Sequence, residues 1–271
     1  MEKPKITIIT ITYNAENTIE RAIKSVLGQK YENLEYIIVD GLSSDNTLNI
    51  VEKYKNHITK IISEPDEGIS DAFNKGILAA SGDIIGIVNA DDWLESNALE
   101  MVSEAYDAQV DVYRFNIFLI DEKKGIKAIE RPTLYFSVKK PFVNVCHQGT
   151  FVSKNAYLKY GMYDIKLKYK MDWDILLRFS KDNAHIKYID RAVAYYSLDG
   201  LTFRSRDNKT KNKESIYILK KHGANNCEIV VYFAVKLMKY GLKKVIPINQ
   251  RIRMKKLFGS VGKKSQIWKI L

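Results

Sequence analysis

Two cysteines in 271 residues, Cys146 and Cys227, make no disulfide framework and fit a reducing cytoplasm. No apolar run approaches the roughly 20 residues of a membrane-spanning helix, and stretches such as Ile229–Val235 fall far short. A cleaved leader is not expected, because Met1-Glu2-Lys3-Pro4-Lys5 runs directly into the apolar segment Ile6–Ile11. These absences predict a cytoplasmic protein. Zinc-finger, helix-turn-helix and RNP-like patterns are missing too, which argues against nucleic acid as a partner. Thr10–Asn14 contains no glycine, so the glycine-rich phosphate loop of a nucleotidyltransferase is lacking. There is no internal repeat and no low-complexity linker.

Acidic residues are scarce in one part only. Residues 204–271 hold 18 Lys/Arg against 3 Asp/Glu, whereas residues 1–203 hold 25 against 29. The net charge of +11 therefore belongs to the tail. An acidic body reads as the catalytic part, and a basic tail as one made for a polyanionic surface. With 46% hydrophobic and 28% charged residues, the chain can bury one full α/β core and carry a smaller appendage.

The first hundred residues alternate strand and helix signals. Ile6–Thr12 is apolar and β-branched enough for a buried strand. Asn14 can cap a helix to about Leu27, with Ile19, Ala22, Ile23 and Val26 on one face. Strands are predicted at Leu34–Val39, Ile58–Ser63 and Ile84–Val88, and helices at Ser44–Tyr54, Ser70–Ala80 and Ser96–Tyr106. This rhythm predicts a mostly parallel, Rossmann-like sheet with helices on both faces. Further on come a strand at Val110–Ile120, a polar turn region at Asp121–Pro132 and a strand at Thr150–Ser153. A helix at Asp172–Ser180 precedes a hairpin-like pair, Ile186–Ile189 and Ala192–Tyr196. From Asn212 two or three basic helices are expected, broken by Gly223, Gly241 and Pro247.

Polar clusters follow each of the first four strands: Thr12-Tyr13-Asn14, Asp40-Gly41, Glu64-Pro65-Asp66 and Asn89-Ala90-Asp91-Asp92. In an open parallel sheet, ligands sit beyond these carboxyl ends. Turn and cap preference explains any one cluster, but explains four together much less well. Asn89-Ala90-Asp91-Asp92 is the sharpest feature, since adjacent carboxylates repel unless a cation or hydrogen bonds compensate. One or two carboxylates plus substrate phosphates hold Mg²⁺ or Mn²⁺. Asp91 reads as a metal ligand, with Asp92 a second ligand or a supporting group.

These motifs resemble family 2 glycosyltransferases of the GT-A fold. The resemblance rests on Thr10-Ile11-Thr12-Tyr13-Asn14 and on Tyr36-Ile37-Ile38-Val39-Asp40-Gly41 with Ser43, Asp45 and Thr47. It continues through Asp66-x-Gly68-Ile69-x-Asp71-Ala72-x-Asn74-Lys75-Gly76-Ile77, Ser81-Gly82-Asp83 and Asn89-x-Asp91-Asp92. The match runs over about residues 5–200, most like bacterial enzymes of capsule, exopolysaccharide or lipopolysaccharide synthesis. It implies donor contacts from Thr12, Tyr13, Asn14, Asp40, Asp66, Asp71, Lys75, Asn89 and Asp91. Tyr13 would stack on the nucleobase, Asp40 bond it, Asp71 reach sugar hydroxyls and Lys75 meet the diphosphate. Asn89 and Asp91 stand for an Asp-x-Asp motif whose first position here lacks charge.

Lys170-Met171-Asp172-Trp173-Asp174 resembles the family's acceptor-side segment, with Met171 replacing an acidic residue. Asp172 then matches the general base, the alternative being a helix cap. His147, Gln148 and Trp173 stand on the acceptor side, although a lone histidine is as readily structural. Asp174 reads as a surface residue or a partner of Arg178. Cys146 reads as a buried small hydrophobe, and Gly200-Leu201-Thr202 as part of a lid. The implied reaction is an inverting transfer from a nucleotide sugar, UDP by family habit, to a glycan or lipid-linked acceptor. A divalent metal would assist. A catalytically silent nucleotide-sugar-binding partner of another transferase is the alternative.

The expected organisation is a catalytic domain over 1–203, with a donor half 1–108 and an acceptor half 109–203. A basic helical extension follows over 204–271. The tail interleaves Ile229, Phe233 and Leu237 with Lys236, Lys239, Lys243 and Lys244, then Arg251, Arg253, Lys255 and Lys256 with Leu257, Phe258 and Trp268. This suits a peripheral contact with an anionic membrane surface, or else a basic face packed on the body.

Overall fold

The computed structural model describes residues 3–121, 125–139, 143–198 and 207–245. β1 (Ile6–Thr12), β2 (Leu34–Asp40), β3 (Lys60–Ser63) and β4 (Ile84–Ile87) form the parallel half of one sheet. The sheet continues through β8 (Thr150–Ser153), β6 (Val112–Asp121), β9 (Ile186–Ser197) and the short β5 (Trp93–Leu94). This second half is mixed, because β8 runs antiparallel to both β4 and β6, while β9 is parallel to β6.

Helices cover both faces, as the alternating pattern predicts. They are α1 (Ile19–Leu27), α2 (Thr47–Glu52), α3 (Ile69–Ala79), α4 (Ala98–Ala105), α5 (Lys154–Tyr160) and α6 (Met171–Lys181). Two more follow, α7 (Asn208–Lys221) and α8 (Asn226–Val245). The period-two alternation of the strands divides their apolar residues between two cores. Ile6, Ile8 and Ile38 meet Ile23 of α1 and Leu99 of α4 on one face. Ile9, Ile37 and Ile85 share the other core with Phe73 of α3, Ile175 of α6 and Ile218 of α7. Ile19, Ala22, Ile23 and Val26 are all fully buried, as their spacing requires.

Four local expectations give way. Asn14 does not cap α1, whose N-cap is Thr18. Instead Asn14 takes a left-handed φ of 48° and its Oδ1 accepts from the Ser44 amide at 2.8 Å, locking two loops together. The polar stretch after β6 is not all turn, since β7 (Ile126–Glu130) pairs back on β6. The hairpin-like pair is the single strand β9, because both of its parts pair with β6. Asp190 and Arg191 bulge out between Ile189, opposite Phe115, and Ala192, opposite Asn116. The Asp190 carboxylate is fixed there by Asn116 Nδ2 at 2.8 Å and Tyr188 Oη at 2.9 Å. Gly223, with φ +89°, separates α7 from α8, but Gly241 lies inside α8 without breaking it.

The helices after residue 207 pack on the body. Ile218 and Leu219 are fully buried, and Tyr232 stacks on Trp173 with centroids 5.7 Å apart. Ile229 and Phe233, expected at a membrane boundary, pack against this core instead. Lys236 Nζ donates to Asn212, while Val230, Val231, Leu237 and Met238 stay exposed. No helix among the described residues is long and apolar enough to cross a membrane. The segment Gly200-Leu201-Thr202, Pro247 and the cations, aromatics and leucine from Arg251 to Trp268 lie outside the described residues.

Glu214 of α7 accepts from the backbone N–H groups of Lys168, Tyr169 and Lys170 at 2.8–3.1 Å. Those residues lead directly into α6. Glu214→Ala strands three donors beside a buried site, so a loss of about 2–4 kcal/mol is expected in urea unfolding. A change below about 0.5 kcal/mol would mean that water replaces the carboxylate.

Candidate active site

The carboxyl ends of β1, β2 and β3 are in register, with Thr12 opposite Asp40 and Asp40 opposite Ser63. Thr12 is buried and its Oγ1 has no hydrogen-bond partner. Asp40 is fully buried, with Oδ2 accepting from the Ser43 amide at 3.0 Å and Ser63 Oγ at 2.9 Å. Its carboxylate thus organises the loop on which a base would rest. Beside it Tyr13 is 60% exposed, a free aromatic face at the crevice mouth. The absence of a side chain at Gly41 lets the Asp66 carboxylate lie against it, since a Cβ there would displace that carboxylate.

Asp66 Oδ1 accepts from the Gly68 amide at 2.9 Å and shapes the turn into α3. On the first turns of α3, Asp71 and Lys75 pair at 3.2 Å, and Lys75 also reaches Glu64 at 3.1 Å. Burial works against the Lys75 charge, but Glu64 and Asp71 outweigh it and raise its pKa.

β4 delivers the Asn-x-Asp-Asp segment. Asp92 is fully buried, receiving Gln148 Nε2 at 2.8 Å and the Ser197 amide at 3.3 Å. Of the two roles open to Asp92, this is the supporting one. Burial, and then the charge of Asp91, push its pKa well up. Gln148 likewise is buried in this contact rather than facing an acceptor. The Asp91 side chain makes no hydrogen bond or ion pair among the described residues, and Asn89 Oδ1 is buried without a partner.

A tight turn, His147–Gly149, reaches this segment from the other half of the sheet. Cys146 enters it with φ +48° and is buried, its thiol pushed up to about 12 by burial. A side chain at Gly149 would meet the Phe115 carbonyl at 2.7 Å, so the turn sits directly on β6. His147 Nε2 lies 3.0 Å from Asn89 Nδ2, and Nδ1 lies 3.6 Å from Asp172 Oδ2. Asp172 is the second residue of α6, whose N-cap is Lys170, so it does not cap that helix. Its side chain is 17% exposed and Oδ1 has no partner. Burial raises its pKa against the opposing charges of His147 and Arg114.

Burial, and then the negative charges of Asp92, Asp91 and Asp172, push the Tyr196 hydroxyl up to about 12. The structure gathers Asn89, His147 and Asp172, with Asp91 two residues beyond Asn89. It does not gather Trp173, which is 4% exposed and turned to α8. Asp174 is not on the surface either, being fully buried against Lys221 at 3.0 Å and His222 at 2.9 Å. Arg178 instead donates to the Gly161 and Met162 carbonyls.

Arg114 was not among the expected residues. It is fully buried, donates to Thr150 Oγ1 and to the Val145 carbonyl, and holds the approach to His147. Burial lowers its pKa to about 10. A charged residue within the apolar run Val112–Ile117 is the signal that could have found it.

A family model described as Glycosyl transferase family 2 matches residues 7–162. The chain is 30% identical over 180 residues to an uncharacterized glycosyltransferase of Mycobacterium tuberculosis, covering 65% of this chain and 68% of that protein. S. aureus TarS in complex with UDP-GlcNAc has a TM-score of 0.64 at 21% identity, covering 82% of this chain and 67% of that chain. The mannosyltransferase PcManGT from Pyrobaculum calidifontis, in complex with GDP-Man and Mn²⁺, has a TM-score of 0.61 at 16% identity, covering 99% and 84%. At such identities the solved structures establish the shared fold, which is GT-A. The chain belongs to glycosyl transferase family 2 and is a glycosyltransferase.

A carboxyl whose folded pKa is raised stabilises the fold below its unfolded pKa and loses that contribution as pH rises through the folded value. Asp172→Asn should therefore unfold at a higher temperature than the parent at pH 7. The difference should vanish below about pH 4, where both side chains are neutral. Equal melting temperatures at pH 7 would show the carboxylate to be fully solvated.

Proposed function

We propose that this chain is an inverting transferase that moves a sugar from a nucleoside diphosphate sugar, UDP-linked, to a glycan or lipid-linked acceptor in surface polysaccharide synthesis. The observation that carries this is the run of contacts from Asn89 through His147 to Asp172, which brings the Asn-x-Asp segment of β4 to the carboxylate of α6. Thr12, Tyr13, Asn14, Asp40, Asp66, Asp71 and Lys75 form the donor side of the same reading. Tyr13 and Asp71 touch the donor directly, and Asn14 and Asp40 act through the loop that they hold.

Asp172 acts as general base. Its carboxylate takes the acceptor hydroxyl proton while that oxygen attacks the anomeric carbon and the bond to the diphosphate breaks. The displacement has oxocarbenium character and turns an α-linked donor into a β-linked product. The raised pKa of Asp172 makes it a stronger base than an ordinary aspartate.

A divalent ion, Mn²⁺ or Mg²⁺, fits Asp91. Among the described residues no three His, Cys, Asp or Glu stand close enough to hold a metal unaided. One partner-free carboxylate suits a hard cation that completes its shell with phosphates and water. Bound there, the ion would neutralise charge on the leaving diphosphate. The Mn²⁺ and GDP-Man complex of PcManGT and the UDP-GlcNAc complex of TarS support both partners.

Contact of the basic tail with an anionic membrane surface belongs to the same reading, with the protein peripheral on the cytoplasmic face. The exposed Val230, Val231, Leu237 and Met238 on α8 support it. Vesicles containing phosphatidylglycerol should co-sediment the protein and release it in high salt, while oligonucleotides should not bind. Retention by neutral vesicles alone would contradict an electrostatic contact.

The reaction is tested by nucleoside diphosphate release from a panel of nucleotide sugars with Mn²⁺ or Mg²⁺. Release from one donor, abolished by chelator and reduced about 10²–10⁴-fold by Asp172→Ala, is expected. Asp91→Ala should raise the metal requirement as well as lower turnover. UDP binding without cleavage of any donor, even with membrane extract as acceptor, would favour a silent nucleotide-sugar-binding protein.

A further inference from the structure

We infer that His147 is a positioning residue for the base, and that Asn89 sets its tautomer. This rests on Asp172 being the base of the transfer proposed above. Asn89 Nδ2 carries no lone pair, so at 3.0 Å it donates to His147 Nε2, which must be unprotonated. The ring proton is thereby assigned to Nδ1, the nitrogen 3.6 Å from Asp172 Oδ2. That distance is longer than a hydrogen bond but short enough for the N–H dipole to orient the carboxylate, and such contacts tighten when substrate arrives. Oδ2 is directed to the imidazole, whereas Oδ1 is buried without a hydrogen-bond partner, and Tyr163 flanks the same carboxylate.

The ring itself is held. Gln148 is tied to Asp92, Gly149 lies against the Phe115 carbonyl, and Arg114 grips the Val145 carbonyl two residues earlier. Phe73 flanks the imidazole with centroids 6.3 Å apart. Asn89 is the first position of the Asn-x-Asp motif, so one amide joins the donor side of the crevice to the acceptor side. A carboxylate at position 89 would accept only. It would draw the proton to Nε2 and leave a bare Nδ1 lone pair facing Asp172. The amide in place of the acid is thus matched to this histidine.

The test uses the full chain and nucleoside diphosphate release from whichever nucleotide sugar it cleaves, with water as acceptor, over a range of donor concentrations at saturating Mn²⁺. Asparagine can place an N–H where Nδ1 stands, whereas glutamine can meet Asn89 only in place of Nε2. His147→Ala and His147→Gln should lower kcat about 10- to 100-fold with donor KM nearly unchanged, and His147→Asn should recover most of that loss. Asn89→Asp should lower kcat although it restores the acidic motif. Asn89→Ala combined with His147→Ala should cost no more than His147→Ala alone.

Calorimetric binding of UDP with Mn²⁺ and the melting temperature are followed in parallel, and both should hold for the His147 variants. The inference is overturned if His147→Gln is as active as the parent, if His147→Asn is no better than alanine, or if Asn89→Asp turns over as fast as the parent. Asp172→Asn separates the two levels. If it leaves release intact, the base assignment itself fails. If it abolishes release while His147→Ala does not, only the role of His147 falls.

Discussion

A carboxylate taken out of water must find donors, and this chain takes out several. Asp40, Asp92 and Asp174 are fully buried, and Glu214 is 6% exposed. Asp40 is held by Ser43 in the loop that follows it and by Ser63 of the neighbouring strand, and the others gather donors from segments distant in sequence: Gln148 and Ser197, Lys221 and His222, and the amides of Lys168 to Lys170. These four knots tie separate segments of the chain to one another. Against them Asp91 makes no side-chain hydrogen bond among the described residues, and Oδ1 of Asp172 is buried without a partner. That contrast divides satisfied acids from unsatisfied ones.

Adjacent Asp91 and Asp92 show how the division works. Were both exposed, their repulsion would be screened by water; were both buried, neither could ionise readily. Withdrawing Asp92 to Gln148 leaves Asp91 as the partly exposed member of the pair. Asp172 is treated in a third way. It is withdrawn enough for burial to raise its pKa, yet His147 and Arg114 restrain the rise. That compromise suits the base role proposed above, since an ordinary aspartate binds a proton too weakly and a fully desolvated one would not give it up.

Strand ends and their polar clusters were legible because β-branched runs stop where turn residues begin, and the family resemblance supplied the order. Residues whose roles depend on distant partners were not. Trp173 follows Asp172 in the sequence, but one residue along a helix is a rotation of about 100°, which carries the ring to Tyr232 of α8. Asp174 looked solvent-facing because its partners Lys221 and His222 are 47 and 48 residues away. Asn14 has the chemistry of a helix cap, yet the same short amide tolerates a left-handed backbone and locks Ser43 and Ser44 instead. In β9, Asp190 and Arg191 read as a turn, and only the pairing partner β6 distinguishes a bulge from a hairpin.

The basic tail divides in the same way as the acids of the body. Its three acidic residues are all committed within the fold, two of them to helix caps and Glu214 to a distant segment. Asp207 caps α7 through the Thr210 amide, Glu228 and Asn225 cap each other at the start of α8, and Glu214 binds the segment before α6. Residues 239–271 contain 10 Lys/Arg and no Asp/Glu. The tail therefore cannot neutralise itself, and its unbalanced charge begins where the packing of Tyr232 and Phe233 on the body ends. Through Glu214 its first helix sets the conformation of Lys168 to Lys170, and Lys170 is the N-cap of the helix that presents Asp172. The wall behind Asp172 is thus built in part by the tail.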